Sequence, residues 1–237
     1  MNKLMKKKVA VYSGTRNVYK LMLPAVTSLV QNSSVEEVFF LIEDDVFPYK
    51  LPTQVRCINI SDQQWFPRDG PNFNNPWTYM TLVRAALPKM FPDLDRILSL
   101  DIDTIVDQNI DAIWDLPIEN MYLAASRELH KTHGIFLYTN TGVALYNLKK
   151  LREDGKDNEV IRALNTKKYD FNEQDAMNQL CQGYIYDMSS EYNVTLFTEV
   201  PKQVKIVHYA AFKNWEEQSH YMKYKKIYED TYGEIHE

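Results

Sequence analysis

Residues 97–100, Ile-Leu-Ser-Leu, form a short apolar run that stops at two carboxylates, Asp101 and Asp103. A run of this kind reads as a strand buried in a sheet, because it lacks the polar alternation of a half-exposed one. Side chains at i and i+2 on an extended backbone point to the same side, so Asp101 and Asp103 are expected to face one cation. Two carboxylates of this kind suit a hard divalent ion.

The rest of the chain supplies the partners such a strand needs. Val9–Tyr12 reads as a first strand, Ser13–Asn17 as a turn, and Val18–Val30 as a helix with Leu21, Ala25, Ser28 and Leu29 near one face. Val35–Ile42 and Val55–Ile60 are two further strands, so the opening sheet is expected to be parallel. Asp62–Pro76 is rich in Asp, Asn, Pro and Gly and reads as a loop. It hands over to a helix capped by Asn75, with Pro76 at its first position, running to about Met90. Beyond the carboxylates come a helical turn at Asn109–Leu116, strands at Tyr122–Ser126 and Gly142–Tyr146, and helices at about Leu148–Leu164 and Glu173–Gln182. A short strand, Val204–Val207, ends at His208.

With 237 residues, 45% of them hydrophobic, one domain can bury its own core. The net charge of −5 speaks against a broad nucleic-acid surface. Cys57 and Cys181 fit no disulfide framework or metal pattern, and the basic start Met1–Lys8 leads into strand-like sequence with no apolar core of a signal peptide. A reduced, cytoplasmic chain is the expectation, in which the sequons at Asn32 and Asn193 carry no glycan.

The order of motifs identifies a resemblance. Val9-Ala10-Val11-Tyr12 before a polar turn, Leu98–Asp103, Tyr138-Thr139-Asn140-Thr141-Gly142-Val143, Asn172-Glu173-Gln174-Asp175 and His208-Tyr209 together resemble the family 8 glycosyltransferases, from about residue 8 to residue 215. The resemblance implies a GT-A fold, a Rossmann-like α/β architecture with a mixed central sheet flanked by helices, in one domain over 1–237. Residues 8–107 would form the nucleotide half, 108–215 the sugar and acceptor half, and 216–237 a helical tail. It also implies a retaining transfer of glucose or galactose from a UDP-sugar, with Mn2+, or Mg2+ as the alternative, to a glycan, lipid-linked or protein acceptor.

Residue by residue, the resemblance assigns the metal to Asp101, Asp103 and His208, with Ile102 between the carboxylates at the donor. Ser13, Thr15 and Asn17 match the base and ribose pocket. The family's acid near Thr15 and tyrosine near Val18 are missing, and Tyr12 or Tyr19 is the candidate to stack on the base. Arg84 interrupts an apolar stretch and either binds donor or pairs with an Asp of the same site. Asn140 and Thr141 are expected along the donor sugar, Gln174 near the anomeric carbon, and Asp175 on a sugar hydroxyl. The family pattern His-x-x-Gly-x-x-Lys-Pro-Trp appears here as His208 to Trp215, one residue shorter, with Ala211 for the glycine and Asn214 for the proline. Lys213 is then the cation for the leaving diphosphate.

Two other readings stand beside this one: a nucleotide-sugar-binding protein without turnover, and a haloacid-dehalogenase phosphatase, whose Asp-x-Asp usually opens its domain. His130 and His133 read as surface or acceptor-loop residues. Trp65, Phe66 and Phe73 make the Asp62–Pro76 loop a candidate lid, and the Tyr221–Tyr228 segment either packs on the domain or touches a membrane surface.

Overall fold

The computed structural model describes residues 7–129 and 137–236. Strand β1 (Val9–Ser13) alternates its side chains between two cores, Val9 and Val11 to one face, Ala10 and Tyr12 to the other. This period of two is what a strand covered on both faces requires. A 3-10 turn at Arg16–Val18 leads into α1 (Tyr19–Gln31), and β2 (Glu37–Ile42) and β3 (Val55–Asn59) follow. Each pairs parallel with the strand before it.

The helix expected from Pro76 to Met90 is divided. Thr78 lies at φ 61°, which no helix interior accommodates, so α2 begins only at Met80 (Met80–Val83). A 3-10 segment at Arg84–Ala86 then separates it from α3 (Leu87–Met90). Asn75 still caps a turn, accepting the Trp77 N–H at 3.2 Å, but it caps no helix. The loop before it is no lid: Phe66 is buried, Trp65 and Phe73 pack on the core, and Phe73 stacks on Tyr79 at 4.8 Å.

Strand β4 (Arg96–Leu100) is buried at every residue and lies parallel to β1 on the side away from β2. After β5 (Thr104–Val106) and a 3-10 turn, β6 (Leu123–Arg127) and the wholly buried β7 (Thr139–Asn147) pair antiparallel, and β7 also pairs antiparallel with β4. The expected long helix from Leu148 is two, α4 (Leu148–Glu153) and α5 (Lys156–Thr166), because Gly155 takes φ 66° between them. Next come α6 (Asn172–Leu180), β8 (Ile185–Asp187), β9 (Ile206–His208) and α7 (Ser219–Tyr232). The central sheet runs β3-β2-β1-β4-β7-β6-β8, and β5 with β9 forms a separate antiparallel pair.

The tail packs on the domain. Tyr221, Tyr224 and Tyr228 of α7 are buried, and the Tyr224 hydroxyl accepts from Asn32 Nδ2 of the α1 end at 2.7 Å. Of the two readings of the Tyr221–Tyr228 segment, these three tyrosines follow packing on the domain. Among the described residues no helix is long and apolar enough to cross a membrane.

Candidate active site

The two carboxylates converge by a turn, not by strand alternation as expected. β4 ends at Leu100, and the chain folds back so that the Thr104 N–H donates to Asp101 O at 3.2 Å and the Thr104 hydroxyl to the same oxygen at 2.7 Å. Ile102, at the turn, packs partly against the core. Beyond the turn, β5 pairs with β9 in a register that sets Thr104 opposite His208. The imidazole thereby reaches both carboxylates, with Nε2 3.3 Å from Asp103 Oδ1 and 3.9 Å from Asp101 Oδ2.

One ligand atom from each of Asp101, Asp103 and His208 lies within 4.8 Å of the others. The space among them depends on Gly142 of β7, whose carbonyl accepts the Asp101 N–H at 2.7 Å. A Cβ there would stand 2.8 Å from Asp101 Oδ2 and 2.9 Å from His208 Nε2. Two hard carboxylate oxygens, one imidazole nitrogen and a cradle kept open by a glycine fit a divalent cation.

The histidine is oriented from behind. Asn193, fully buried, donates Nδ2 to Asn140 Oδ1 at 3.1 Å, so its Oδ1 is the atom 2.8 Å from His208 Nδ1. A carbonyl oxygen there requires Nδ1 to carry the proton in the neutral ring, which turns the Nε2 lone pair toward the carboxylates. These groups also act on each other. Burial raises the Asp103 carboxyl, but the charge and hydrogen bond of His208 outweigh it and hold the carboxyl below its usual range. Burial lowers His208, and Asp103 with Asp101 outweigh that and raise it.

Arg84 both pairs with an aspartate and faces the cavity. Its Nη1 donates to Asp101 Oδ1 at 2.9 Å and to Thr141 O at 3.0 Å, and its Nε lies 3.2 Å from Glu173 Oε2. Burial opposes the charge, but the two carboxylates outweigh burial and hold the guanidinium above its ordinary pKa. Glu173 is fully buried and also accepts from Tyr146 and Thr141 hydroxyls at 2.5 and 3.1 Å. Burial still prevails there over Arg84 and these hydrogen bonds, and its carboxyl stays above the usual range.

A cavity of about 400 Å³ opens beside this cluster. Arg84, Asp101, Asp103, His208, Asn140 and Gln174, all assigned from the sequence, line it. Gln174 is fixed in place, accepting the Thr141 N–H at 2.9 Å and donating to the Tyr138 hydroxyl at 3.0 Å.

Five assigned residues are not on the wall of this cavity. Thr141 is fully buried and holds Glu173 and Gln174 without lining the cavity. Asp175 accepts from the Tyr138 hydroxyl and from the Asp170 and Phe171 N–H groups, so its carboxylate shapes the start of α6. Tyr12 is a core residue at 0% exposure, its ring edge-on to Phe40. Tyr19 is likewise buried and packs on Phe47, so neither ring is open to a base. Lys213 is exposed and absent from the cavity wall. In the same segment Ala211 takes φ 60°, the left-handed backbone that explains a glycine in the family pattern, and Asn214 takes φ 53°.

Ser13 ends β1 and Thr15 and Asn17 follow it, with the Thr15 hydroxyl donating to Asn17 Oδ1 at 2.6 Å. Asn17 also borders a second depression beside the ion pair of Arg16 and Asp44. His130 and His133 lie outside the described residues. Sequence reasoning missed Asn193 behind His208, and Glu128, Trp77, Phe171 and Phe197 on the cavity wall. Asn193 stood in the sequence only as a sequon.

Comparison with known proteins follows the same lines. The model of the family described as Glycosyl transferase family 8 matches residues 11–219. No curated protein matches the chain. The galactosyltransferase LgtC, solved in complex with donor and acceptor sugar analogues, superposes with TM-score 0.71 at 18% identity over 97% of this chain and 98% of its own. The bifunctional glycosyltransferase WbbM gives 0.70 at 18% identity over 95% of this chain, which spans only 52% of WbbM. Mouse xyloside xylosyltransferase 1 gives 0.65 at 14% identity over 86% of this chain and 98% of its own. The fold is GT-A, as expected.

Proposed function

Because this chain belongs to glycosyl transferase family 8, we propose that it is a metal-dependent, retaining hexosyltransferase that takes glucose or galactose from a UDP-sugar to a hydroxyl of a glycan. The observation that carries this reading is the cluster of Asp101, Asp103 and His208 opening onto the cavity. A divalent cation held by these three, Mn2+ by the chemistry of the set, would stabilise the charge that develops on the departing diphosphate.

The chain's own groups do the rest. Arg84, locked by Asp101 and Glu173, presents a fixed positive charge to the diphosphate. Gln174, held at both ends of its amide, is a poor nucleophile and supports same-face transfer, in which the acceptor oxygen bonds to the anomeric carbon as the bond to the diphosphate breaks. Glu128, on the same wall and accepting from Asn140 at 3.3 Å, is the carboxylate we assign to take the proton of the attacking hydroxyl.

The position of Lys213 favours the second reading, a nucleotide-sugar-binding protein without turnover. The phosphatase reading falls with the family. A panel of nucleotide-sugars, assayed for nucleoside diphosphate release with and without manganese, separates the two that remain. Manganese-dependent release from a UDP-hexose, lost in Asp103→Ala, supports transfer. Metal-assisted nucleotide binding by calorimetry without release, even with a sugar acceptor added, supports the binding protein.

A further inference from the structure

Two aromatic rings stand partly exposed on the rim of the cavity. Trp77 is 46% exposed and Phe171 36% exposed, both line the cavity, and their ring centroids are 5.8 Å apart at 36°. Neither ring has a role in the chemistry above.

The backbone that presents them is strained. The residue following each ring has positive φ, Thr78 at 61° and Asn172 at 46°. A β-branched residue in that region is an outlier, retained where the surrounding structure enforces it and found most often at binding sites. Here the two strained residues hold each other. Asn172 is fully buried, and its Nδ2 donates to Thr78 O at 3.3 Å and to the Thr81 hydroxyl at 2.8 Å. Its Oδ1 is buried with no hydrogen-bond partner among the described atoms. Strain at two positions and an unsatisfied buried oxygen all work against folding, and what they achieve is to bring Trp77 beside Phe171.

We infer that Trp77 and Phe171 form a stacking platform for a sugar ring of the acceptor, set in place by the contact between Asn172 and Thr78. The inference rests on the glycosyltransferase reading and adds to it the two side chains that would hold a ring of the acceptor glycan. An aromatic face carries negative charge density, and the C–H bonds on one face of a pyranose present the complementary positive edge. Across the same cavity Glu128, Asn140 and Gln174 offer groups for hydroxyls. An apolar face opposite a few placed polar groups suits a ring with one C–H face and a polar rim, and it leaves those polar groups unmatched against an alkyl chain.

The test is saturation-transfer NMR on the full chain, using methyl glucosides, methyl galactosides and lactose as probes and hexanol as the apolar comparison. We expect saturation on the ring protons of at least one saccharide and none on hexanol. Trp77→Ala and Phe171→Ala should each weaken that saccharide about tenfold, equivalent to about 1.4 kcal/mol, while Trp77→Phe keeps most of the affinity. Both rings are partly exposed, so their truncation leaves the core intact. Affinity unchanged in both alanine variants, preference for hexanol, or saturation of no saccharide overturns the platform. If saccharides bind through Trp77 while no nucleotide-sugar releases its diphosphate, the enzymatic reading falls and the platform stands.

Discussion

Gly142 and His208 occupy what would otherwise be one volume, since a side chain at 142 would begin 2.9 Å from the histidine Nε2. Gly142→Ala therefore displaces His208 from the two carboxylates while leaving every candidate ligand present. Manganese affinity, read by calorimetry, should fall at least about tenfold, and thermal unfolding should register an overpacking cost of about 1–3 kcal/mol. Unaltered manganese binding in this variant would remove the cluster as the metal site.

Asn193 would act on a metal at His208 through the far side of the imidazole. Its Oδ1 fixes the proton on Nδ1 of His208, so Asn193→Ala frees both the tautomer and the ring rotation. Loss of such an outer partner weakens metal binding about 10- to 100-fold. Electron paramagnetic resonance of free manganese during titration measures it directly, and an unchanged dissociation constant would show that packing alone holds the ring.

Arg84→Met leaves Glu173 buried without its cation. The variant should lose about 3–5 kcal/mol at neutral pH, the cost of an unpaired buried charge. The Glu173 carboxyl already lies above its usual range, and removing Arg84 moves it further up. A carboxyl raised in the folded state favours folding below its unfolded pKa of about 4.3 and loses that contribution as pH rises through the folded value. The deficit of the variant against the native protein should therefore widen from pH 4 toward pH 7 in urea denaturation. A deficit independent of pH would mean that Glu173 is not what the arginine neutralises.

Tyr224 is 2% exposed and bonded to Asn32, whereas Met222 on the same helix is 47% exposed. Tyr224→Ala should cost about 3–5 kcal/mol in aqueous unfolding, and Met222→Ala about 0.5 kcal/mol or less. Equal, small effects would contradict the packing of α7 on α1.

Much of this architecture was readable because local signals carried it. The buried strand before Asp101, the β-turn-α opening and the strand that ends in His208 are all written in short, largely apolar runs, and Arg84 stood out as a charge among apolar neighbours. The failures share a different cause. Tyr12 reads as polar in one dimension, but the alternation of β1 turns it into the core beside Phe40. The late start of α2 follows from a left-handed Thr78, which no residue preference announces. Asn193 and Gly142 act on His208 only through tertiary contact, and Trp77 meets Phe171 across strands, helices and loops. Contacts of that range leave no periodic trace in the sequence.

The separate pairing of β5 with β9 also sets a timetable. Asp101 and Asp103 are made directly after β4, the strand that completes the parallel run β3-β2-β1-β4, whereas the histidine that joins them is synthesised only after α6 and β8. Domains begin to organise while they are still being made. A nascent chain can therefore assemble β1 through β4 well before His208 joins the two carboxylates. The cluster is complete only once β9 pairs with β5, so a chain cut short before β9 would be folded in part and would lack the histidine of the cluster.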